Sequence, residues 1–249
     1  SITYLNIKIM SRAKYKALLL DLDDTLIRSS KLYDKSLLYV TRYLSKKFNL
    51  DEKSFFNSVV DKVLIMQRSF PTVHTRHSRI LVFRMALDEV LPKYDLSVLP
   101  EVEEMFWNHF MDNIEVYDGV FDTLKKIRES GVGIAIISDG SLGLRIKKAK
   151  AAGLLDYVDQ VFASEEVIFE KPFGALFTLA LSRLGTDPHH AIMLGNNFKN
   201  DIRGAQLVGI RAGMFDPPVD GNPEGQDSQI RVVPDFVINE FPELLKELG

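Results

Sequence analysis

The sequence ALLLDLDDTL occupies residues 17–26 and joins an apolar run to three aspartates within four positions. An apolar run that ends in carboxylates predicts a buried β-strand with the acids at its carboxyl end. In open α/β sheets, ligands bind at that edge. Because crowded carboxylates repel one another, the cluster favours a bound cation or a proton-transfer role. An Asp-rich turn, which commonly follows a strand, is the alternative on these residues alone.

The composition is that of an ordinary globular protein: 249 residues, 46% of them hydrophobic and 26% charged, with a net charge of −3. This charge provides no general attraction to nucleic acid or to an anionic membrane surface, so we expect neither as a partner. The lack of cysteine excludes disulfides, thiolate nucleophiles and cysteine-ligated zinc. Apolar stretches such as 134–137 are too short to span a bilayer.

The first methionine is Met10, and the residues before it lack the apolar segment of a secretory signal. Met10 is a candidate for the natural start, with residues 1–9 then an upstream remnant and a native segment 1–9 as the alternative, and we expect a cytoplasmic protein.

The segment from about 31 to 112 shows helical periodicity and almost no strand pattern, which predicts four amphipathic helices packed as a small bundle. Their apolar stripes run from Leu32 to Leu44, from Phe55 to Leu64 after Asp51 as N-cap, from about His77 to Leu91 and from about Ser97 to Ile114.

After Asp118 and Gly119 the pattern alternates between strand and helix. The predicted strands, besides a first one at 15–22, are 132–137, 159–163, 190–194, 210–215 and 236–238, and the predicted helices are 120–130, 142–152, 173–184, 201–208 and 243–248. Such alternation predicts an α/β fold with a parallel sheet covered by helices on both faces. The core would comprise residues 1–27 and 114–249, with an all-helical domain at 28–113 inserted after the first strand. Residues 216–230 are expected to form a long mobile surface loop, with part of a site rim as the alternative.

Reactive or polar residues follow four of the predicted core elements. They are Asp21 and Asp23, then Ser138-Asp139-Gly140, then Lys171-Pro172, and finally GNNFKND at 195–201. Because the carboxyl ends of parallel strands meet at one edge of a sheet, these groups are expected to share one crevice.

This set of groups suits phosphoryl transfer. A carboxylate can attack phosphorus to give an acyl phosphate, and a second carboxylate two residues later can move the proton, since Asp21 and Asp23 face the same side of an extended chain. Ser138, Lys171 and the amides of the 22–25 turn can bind the phosphoryl oxygens. A hard divalent ion, most readily Mg²⁺, could take oxygen ligands from Asp21, the Asp23 carbonyl and the 195–201 loop.

Four motifs in order resemble those of the haloacid dehalogenase-like (HAD) hydrolase superfamily. They are DLDDTL at 21–26, IISDG at 136–140, EKP at 170–172 and LGNNFKNDIRGA at 194–205. The resemblance covers nearly the whole core and implies a Rossmann-like three-layer α/β/α fold. The helical insertion resembles the C1 cap of this superfamily, which closes over the site.

The resemblance also implies a role for each matching residue. Asp21 would be the nucleophile and a metal ligand, and Asp23 would be the general acid/base and would bind the metal through its main-chain carbonyl. Thr25 would orient the first motif at the phosphate site, Ser138 would bind a phosphoryl oxygen, and Lys171 would tie the phosphate to the nucleophile. An Asp at position 23 favours phosphoryl transfer over dehalogenation.

The fourth motif departs from the family pattern, because Gly195 is followed by Asn196 where the family usually has Asp. Asn keeps an oxygen for the metal but loses a charge. Asp201, five residues later, also fits the family spacing and is expected to help hold the metal, directly or through water.

The sequence therefore predicts a Mg²⁺-dependent phosphatase that hydrolyses a small phosphorylated metabolite, similar overall to phosphoglycolate-phosphatase-like enzymes. One alternative is a phosphomutase of the β-phosphoglucomutase kind, and another is a catalytically weak member with a binding or regulatory role. The sequence does not determine the substrate or the oligomeric state.

Two further expectations concern polar residues outside these motifs. Asp139 is expected to N-cap the helix that follows it. A basic cluster around Pro71 is expected to be a solvated loop, with binding of an anionic substrate tail as the alternative; its members are Arg68, His74, Arg76, His77 and Arg79.

Overall fold

A computed structural model of the protein describes residues 14–217 and 233–249. Within this part of the chain, six strands form one parallel sheet: β1 (Ala17–Leu20), β2 (Gly133–Ser138), β3 (Gln160–Ala163), β4 (Ala191–Gly195), β5 (Arg211–Phe215) and β6 (Phe236–Ile238). Their order across the sheet is β3-β2-β1-β4-β5-β6, so the chain leaves β1 toward one edge and returns to β1 to build the other. The predicted α/β fold with a parallel sheet is confirmed, and the switch in strand order places a ligand crevice at the end of β1.

The helices are α1 (Ser30–Phe48), α2 (Glu52–Ser69), α3 (Arg79–Val90), α4 (Val98–Asp112), α5 (Val120–Glu129), α6 (Leu142–Ala151), α7 (Ala175–Leu184), α8 (Gly204–Leu207) and α9 (Leu244–Leu248). Short 3₁₀ turns connect several of them, and a wide π-helical turn at Phe198–Arg203 leads into α8. In the part of the chain that the structure describes, no helix has the length and apolar character that crossing a membrane requires.

The central strand β1 is buried on both faces, which explains its unbroken apolar run. Successive side chains alternate between the faces of the sheet. Leu18 and Leu20 therefore pack into one hydrophobic core, and Ala17 and Leu19 pack into the core on the other side. The three-layer α/β/α arrangement follows from these two cores.

The helices α1 to α4 lie between β1 and α5 in the chain and share a hydrophobic core of their own, with Val40, Val59, Phe83 and Phe106 at its centre. The segments that enter and leave these helices run side by side in opposite directions. Ile27 forms an antiparallel bridge with Val116, and the Arg28 amide donates to the Glu115 carbonyl at 2.8 Å.

Several element boundaries differ from those that the sequence predicts. The first strand ends at Leu20 rather than at residue 22, because Asp21 begins the turn that carries the acids. The helix predicted for 173–184 begins at Ala175, since the Phe173 amide is held by the Glu170 carbonyl at 3.1 Å. The helix predicted for 201–208 starts inside the π-helical turn, which ends at Arg203, and its α-helical part is Gly204–Leu207.

Among the inserted helices, the structure confirms the predicted start of α2 and shifts that of α3. Asp51 caps α2, accepting from the Ser54 amide at 2.8 Å. The third helix starts at Arg79 after Ser78 as N-cap, while His77 belongs to the preceding 3₁₀ turn. The predictions for Met10 and for most of the 216–230 loop concern residues 1–13 and 218–232, outside the described part.

Candidate active site

The sheet register brings the predicted site residues to one edge. Leu20, the last residue of β1, pairs with Ile136 of β2 on one side and with Leu194 of β4 on the other. Asp21 follows directly, and its amide donates to the Leu194 carbonyl at 3.0 Å. A cavity of about 480 Å³ opens at this edge and is lined by Asp21, Asp23, Ser138, Lys171, Asn196 and Asp201 among others. The crevice expected from the strand ends is therefore present.

Lys171 lies at the centre of this edge between two carboxylates. Its ammonium is 2.7 Å from Oδ1 of Asp21 and 2.7 Å from Oδ1 of Asp201. It also donates to the Ile137 carbonyl at 3.2 Å. All three charged residues are buried, with 4% of Lys171, 8% of Asp21 and 1% of Asp201 exposed. The structure thus unites the first, third and fourth sequence motifs through one side chain.

Burial and charge act on this group in opposite senses. Burial and the nearby Asp201 carboxylate raise the pKa of Asp21 above its usual range, against the attraction of Lys171. Burial alone would lower the pKa of Lys171, but Asp201 and Asp21 outweigh burial and raise it. Lys171 is therefore a permanent cation, and two buried carboxylates share its single charge.

Gly195 explains how Asp201 reaches the site. A Cβ at position 195 would overlap the Asp201 side chain, so only glycine fits there. Oδ2 of Asp201 accepts from the amides of Asn196 and Asn197 at 3.2 and 3.0 Å, which fixes the loop after β4. The fourth motif therefore works as a unit, with glycine making room for a carboxylate six residues later.

Thr25 and Asn196 lie beside Asp21. The Thr25 hydroxyl is 3.4 Å from Oδ2 of Asp21 and 3.4 Å from the side-chain oxygen of Asn196. Asn196 thus presents its oxygen toward the same point as the Asp21 carboxylate. Ser138, at the end of β2, is buried and lines the cavity.

Asp23 is held by two cations from α6. Lys148 Nζ is 2.8 Å from Oδ1, and Arg145 Nη1 is 3.1 Å from Oδ2. Burial alone would raise the pKa of Asp23, but Lys148 and Arg145 outweigh it and lower the pKa to about 2. Asp23 is therefore a carboxylate near neutral pH in this arrangement.

The sequence analysis missed Arg145 and Lys148. They lie three residues apart, hence on one face of α6, directly after the second motif. Both are buried, while Ile146 between them is 39% exposed, so the helix turns charged residues inward. Gly140 makes the space, because a Cβ there would overlap the Arg145 guanidinium. The sequence signal that could have indicated these two site residues was the three-residue spacing of Arg145 and Lys148 directly after the second motif.

Asp139 does not cap α6, contrary to the prediction. Ser141 occupies the N-cap position, and Oδ1 of Asp139 instead accepts from the Lys171 amide at 3.0 Å. Burial is the main cause that raises the pKa of Asp139 to about 6, against the attraction of Lys171. Asp139 therefore positions the backbone of the third motif.

The solvated-loop prediction for the basic cluster is wrong for three of its five members. Arg76, His77 and Arg79 line the same cavity as Asp21. His77 Nε2 lies 2.6 Å from Oε1 of Glu170, and Arg76 Nε lies 3.3 Å from Oε2 of the same buried carboxylate. Glu170 comes from the core, so this contact joins the 74–77 turn to the third motif. Only the tertiary fold supplies this acidic partner.

The residues fit a hard divalent cation by their chemistry. Asp21 and Asp201 share one ammonium, so ionisation of both carboxyls calls for a further positive charge, and the Asn196 oxygen lies beside Asp21. Within residues 14–217 and 233–249, no three His, Asp or Glu side chains form a metal-ligand group. A metal here would therefore need amide or main-chain oxygens in addition to carboxylates.

Comparisons with known proteins agree with this geometry. A family profile described as haloacid dehalogenase-like hydrolase matches residues 15–209. A glyceraldehyde 3-phosphate phosphatase from Methanopyrus kandleri is 29% identical over 92% of this chain and 95% of its own length. A ribulose-1,5-bisphosphate 5-phosphatase from Halopiger xanaduensis is 33% identical over 57% of this chain and 59% of its own length. The crystal structure of a HAD phosphatase from Thermococcus onnurineus superposes with a TM-score of 0.71 at 27% identity, covering 94% of this chain and 98% of that one.

Proposed function

We propose that this chain, which belongs to the haloacid dehalogenase-like hydrolases, hydrolyses a small phosphomonoester through a phospho-aspartyl intermediate on Asp21. The observation that carries the proposal is the contact of Lys171 with Asp21 and Asp201 inside a cavity that Ser138 also lines. A buried nucleophilic carboxylate beside a permanent cation and a hydroxyl suits the charge of a transferring phosphoryl group. The relatives named as phosphatases support the same reaction class.

In the first step an Asp21 oxygen attacks phosphorus. A bond forms between this oxygen and phosphorus while the ester P–O bond breaks, and the leaving oxygen takes a proton to depart as an alcohol. Lys171 and the Ser138 hydroxyl would donate to the phosphoryl oxygens as the bonds change. Asp23, two residues from the nucleophile, is the proposed proton donor.

In the second step water attacks phosphorus of the acyl phosphate. Asp23 would accept the proton of this water, phosphate would leave, and Asp21 would be regenerated. The ion pairs with Lys148 and Arg145 keep Asp23 ionised, which suits it to this second step. Donation in the first step requires that the pKa of Asp23 rise, so we propose that these ion pairs loosen when substrate binds.

We propose Mg²⁺ as the cofactor. Asp21, Asp201, the Asn196 side-chain oxygen and the Asp23 main-chain carbonyl would hold it. When bound, the ion supplies positive charge that offsets the repulsion between the substrate phosphate and the carboxylates.

We also propose that residues 28–113 act as a cap over the core of 1–27 and 114–249. The paired segments around Ile27 and Val116 would form the hinge. The turn that carries Arg76 and His77 already contacts Glu170 of the core, which is consistent with closure over the cavity. Such closure would exclude water from Asp21 during the first step.

The test is hydrolysis of a panel of small phosphomonoesters with Mg²⁺, comparing the natural chain with Asp21→Asn. We expect Asp21→Asn to lose turnover by several orders of magnitude, because the covalent route disappears. Asp24→Asn is the matched control in the same turn. Its side chain accepts from the Ser29 amide at 2.8 Å, and asparagine retains that acceptor.

Three further readouts separate the alternatives. Acid quenching should trap phosphate on Asp21, and EDTA should abolish turnover until Mg²⁺ is restored. A long-lived phosphoenzyme that needs a bisphosphate activator would instead indicate a phosphomutase. Activity of Asp21→Asn comparable to that of the natural chain would refute the proposal.

A further inference from the structure

Arg79 is a buried guanidinium without a carboxylate partner in the described part of the chain. It is 8% exposed, at the start of α3, and it lines the cavity that holds Asp21. Within residues 14–217 and 233–249 it takes part in no ion pair, and its Nε has no hydrogen-bond partner. Buried cations in proteins are normally paired, because removing a charge from water is costly.

The other basic residues of the cavity wall already have acidic partners. Arg76 and His77 contact Glu170, Lys171 contacts Asp21 and Asp201, and Arg145 contacts Asp23. Arg79 thus differs from its neighbours within the described residues. Its position suits an anion that arrives from the cavity.

Arg145 adds a second donor to this wall. It is 1% exposed, and although Nη1 contacts Asp23, its buried Nε has no partner among the described residues. Burial is the main cause that lowers the pKa of Arg79, and the neighbouring Arg145 guanidinium acts in the same direction against Tyr33 and Asp23. An anion placed between the two arginines would supply both side chains with a hydrogen-bond acceptor.

Aromatic packing accounts for only part of the Arg79 environment. The guanidinium carbon lies 5.4 Å from the ring centroid of Tyr33 and 5.4 Å from that of Phe106. These contacts stabilise a cation by its attraction to the ring faces. The aromatic rings supply no acceptor for the N–H groups of Arg79, so the N–H groups of its guanidinium remain available for hydrogen bonds.

We infer that Arg79, with Arg145, binds a second anionic group of the substrate, so that the preferred substrates are small phosphomonoesters carrying a carboxylate or a second phosphate. The inference rests on the proposed phosphatase function. The reacting phosphate would lie at Asp21 and Lys171, and the second anion would lie against the arginine wall. A cavity of about 480 Å³ accommodates a small metabolite of this kind.

The test uses two matched pairs of probes. 3-Phosphoglycerate and glycerol 3-phosphate differ only in a carboxylate in place of a hydroxymethyl group. 1,3-Propanediol bisphosphate and 1,3-propanediol monophosphate differ only in the second phosphate. In at least one pair, we expect the natural chain to have a kcat/KM about tenfold or more higher for the member with the second anionic group than for the member without it. Charge-assisted hydrogen bonds to that group imply a difference of this size. The pair with the larger ratio identifies carboxylate or phosphate as the second anion.

Arg79→Gln should reduce that ratio by about tenfold or more, mainly through KM, and a general loss of activity cancels in the ratio. Arg79→Lys retains the positive charge but loses the planar guanidinium, so it should give an intermediate ratio. This variant replaces Arg79→Gln in the test if Arg79→Gln does not fold. Arg68→Gln is the control, since Arg68 is an exposed arginine of the same inserted helices and should leave the ratio unchanged.

Binding of the probes to the Asp21→Asn variant, measured by the shift in its melting temperature, tests the inference without turnover. We expect 3-phosphoglycerate or the bisphosphate to raise the melting temperature more than its partner, and Arg79→Gln in this background to remove the difference. A natural chain that hydrolyses both members of each pair equally well would overturn the inference and leave the phosphatase proposal intact. Absence of hydrolysis with every probe and every simple phosphomonoester would instead contradict the proposed function.

Discussion

Lys148 Nζ lies 2.8 Å from Oδ1 and 3.0 Å from Oδ2 of Asp23, so a fully buried ammonium contacts both carboxylate oxygens of the proposed acid/base. The pair connects α6 to the first motif across 125 positions of sequence. It holds Asp23 ionised and oriented at the cavity that Asp21 lines. The proton-transfer properties of the site therefore depend on a helix that follows the second motif.

Replacing Lys148 by Met should raise the pKa of Asp23 from about 2 toward the ordinary value of an aspartate, about 4. Because the folded-state pKa is depressed, the stability from this ion pair is present above about pH 4 and is lost as the pH falls through 2. The variant should lose on the order of 2 kcal/mol of unfolding free energy at neutral pH. A ¹³C NMR titration of the metal-free protein measures the pKa, with exposed Lys147→Met as control. An Asp23 pKa that stays near 2 in Lys148→Met would contradict the assignment.

Asp23→Asn should affect the two chemical steps according to the leaving group. p-Nitrophenolate leaves without protonation, so p-nitrophenyl phosphate should still give a burst of one product per enzyme molecule, followed by slow turnover. Glycerol 3-phosphate needs a proton on its alkoxide, so its first step should slow by about 10²–10⁴-fold. Rapid-quench measurements distinguish the steps. Equal slowing of the first step for both substrates would show that Asp23 is not the proton donor.

Asn196→Asp should tighten Mg²⁺ binding, because a carboxylate replaces a neutral oxygen that lies beside Asp21. We expect the Mg²⁺ concentration for half-maximal activity to fall by roughly tenfold, as about 1.4 kcal/mol of additional attraction implies. Isothermal titration of the metal measures the same change without turnover. Asn200→Asp, which adds the same charge to the cavity wall, controls for a general electrostatic effect. A metal affinity equal to that of the natural chain would mean that Asn196 does not contact the ion.

Asp139→Asn should stabilise the protein at alkaline pH. Burial raises the folded-state pKa of Asp139 to about 6 from its ordinary value of 3.8, so the ionised carboxyl costs stability as the pH rises through this interval. Asparagine retains an oxygen for the Lys171 amide without the charge. We expect the unfolding free energy to increase by up to about 3 kcal/mol at pH 8, and this increase should disappear below about pH 4. Urea unfolding of the metal-free protein at pH 8 and below about pH 4 measures this difference in unfolding free energy. A stabilisation that persists unchanged at low pH would rule out ionisation of Asp139 as its cause.

The sequence by itself was sufficient for the layout of the core. The run ALLLDLDDTL predicted a buried strand with acids at its end, and β1 is central in the sheet. Alternating strand and helix patterns predicted a parallel sheet, because strands of this kind must be covered on both faces by crossover helices. Since the carboxyl ends of parallel strands meet at one edge, the meeting of Asp21, Lys171 and Asp201 followed from their positions after predicted elements.

Only the tertiary structure decided the electrostatic partners of those residues. Asp139 looked like an N-cap but holds the Lys171 amide, and His77 looked solvated but lies against Glu170. Arg79 carries no sign in its own neighbourhood that it is buried, and the spacing of Arg145 and Lys148 indicates a shared helix face but not what covers it. The physical reason is that local periodicity reports which residues share a face of one element, whereas burial and ion pairing depend on which element covers that face. That covering arises between segments far apart in the chain, and it gives Asp23 its cations and leaves Arg79 facing the cavity.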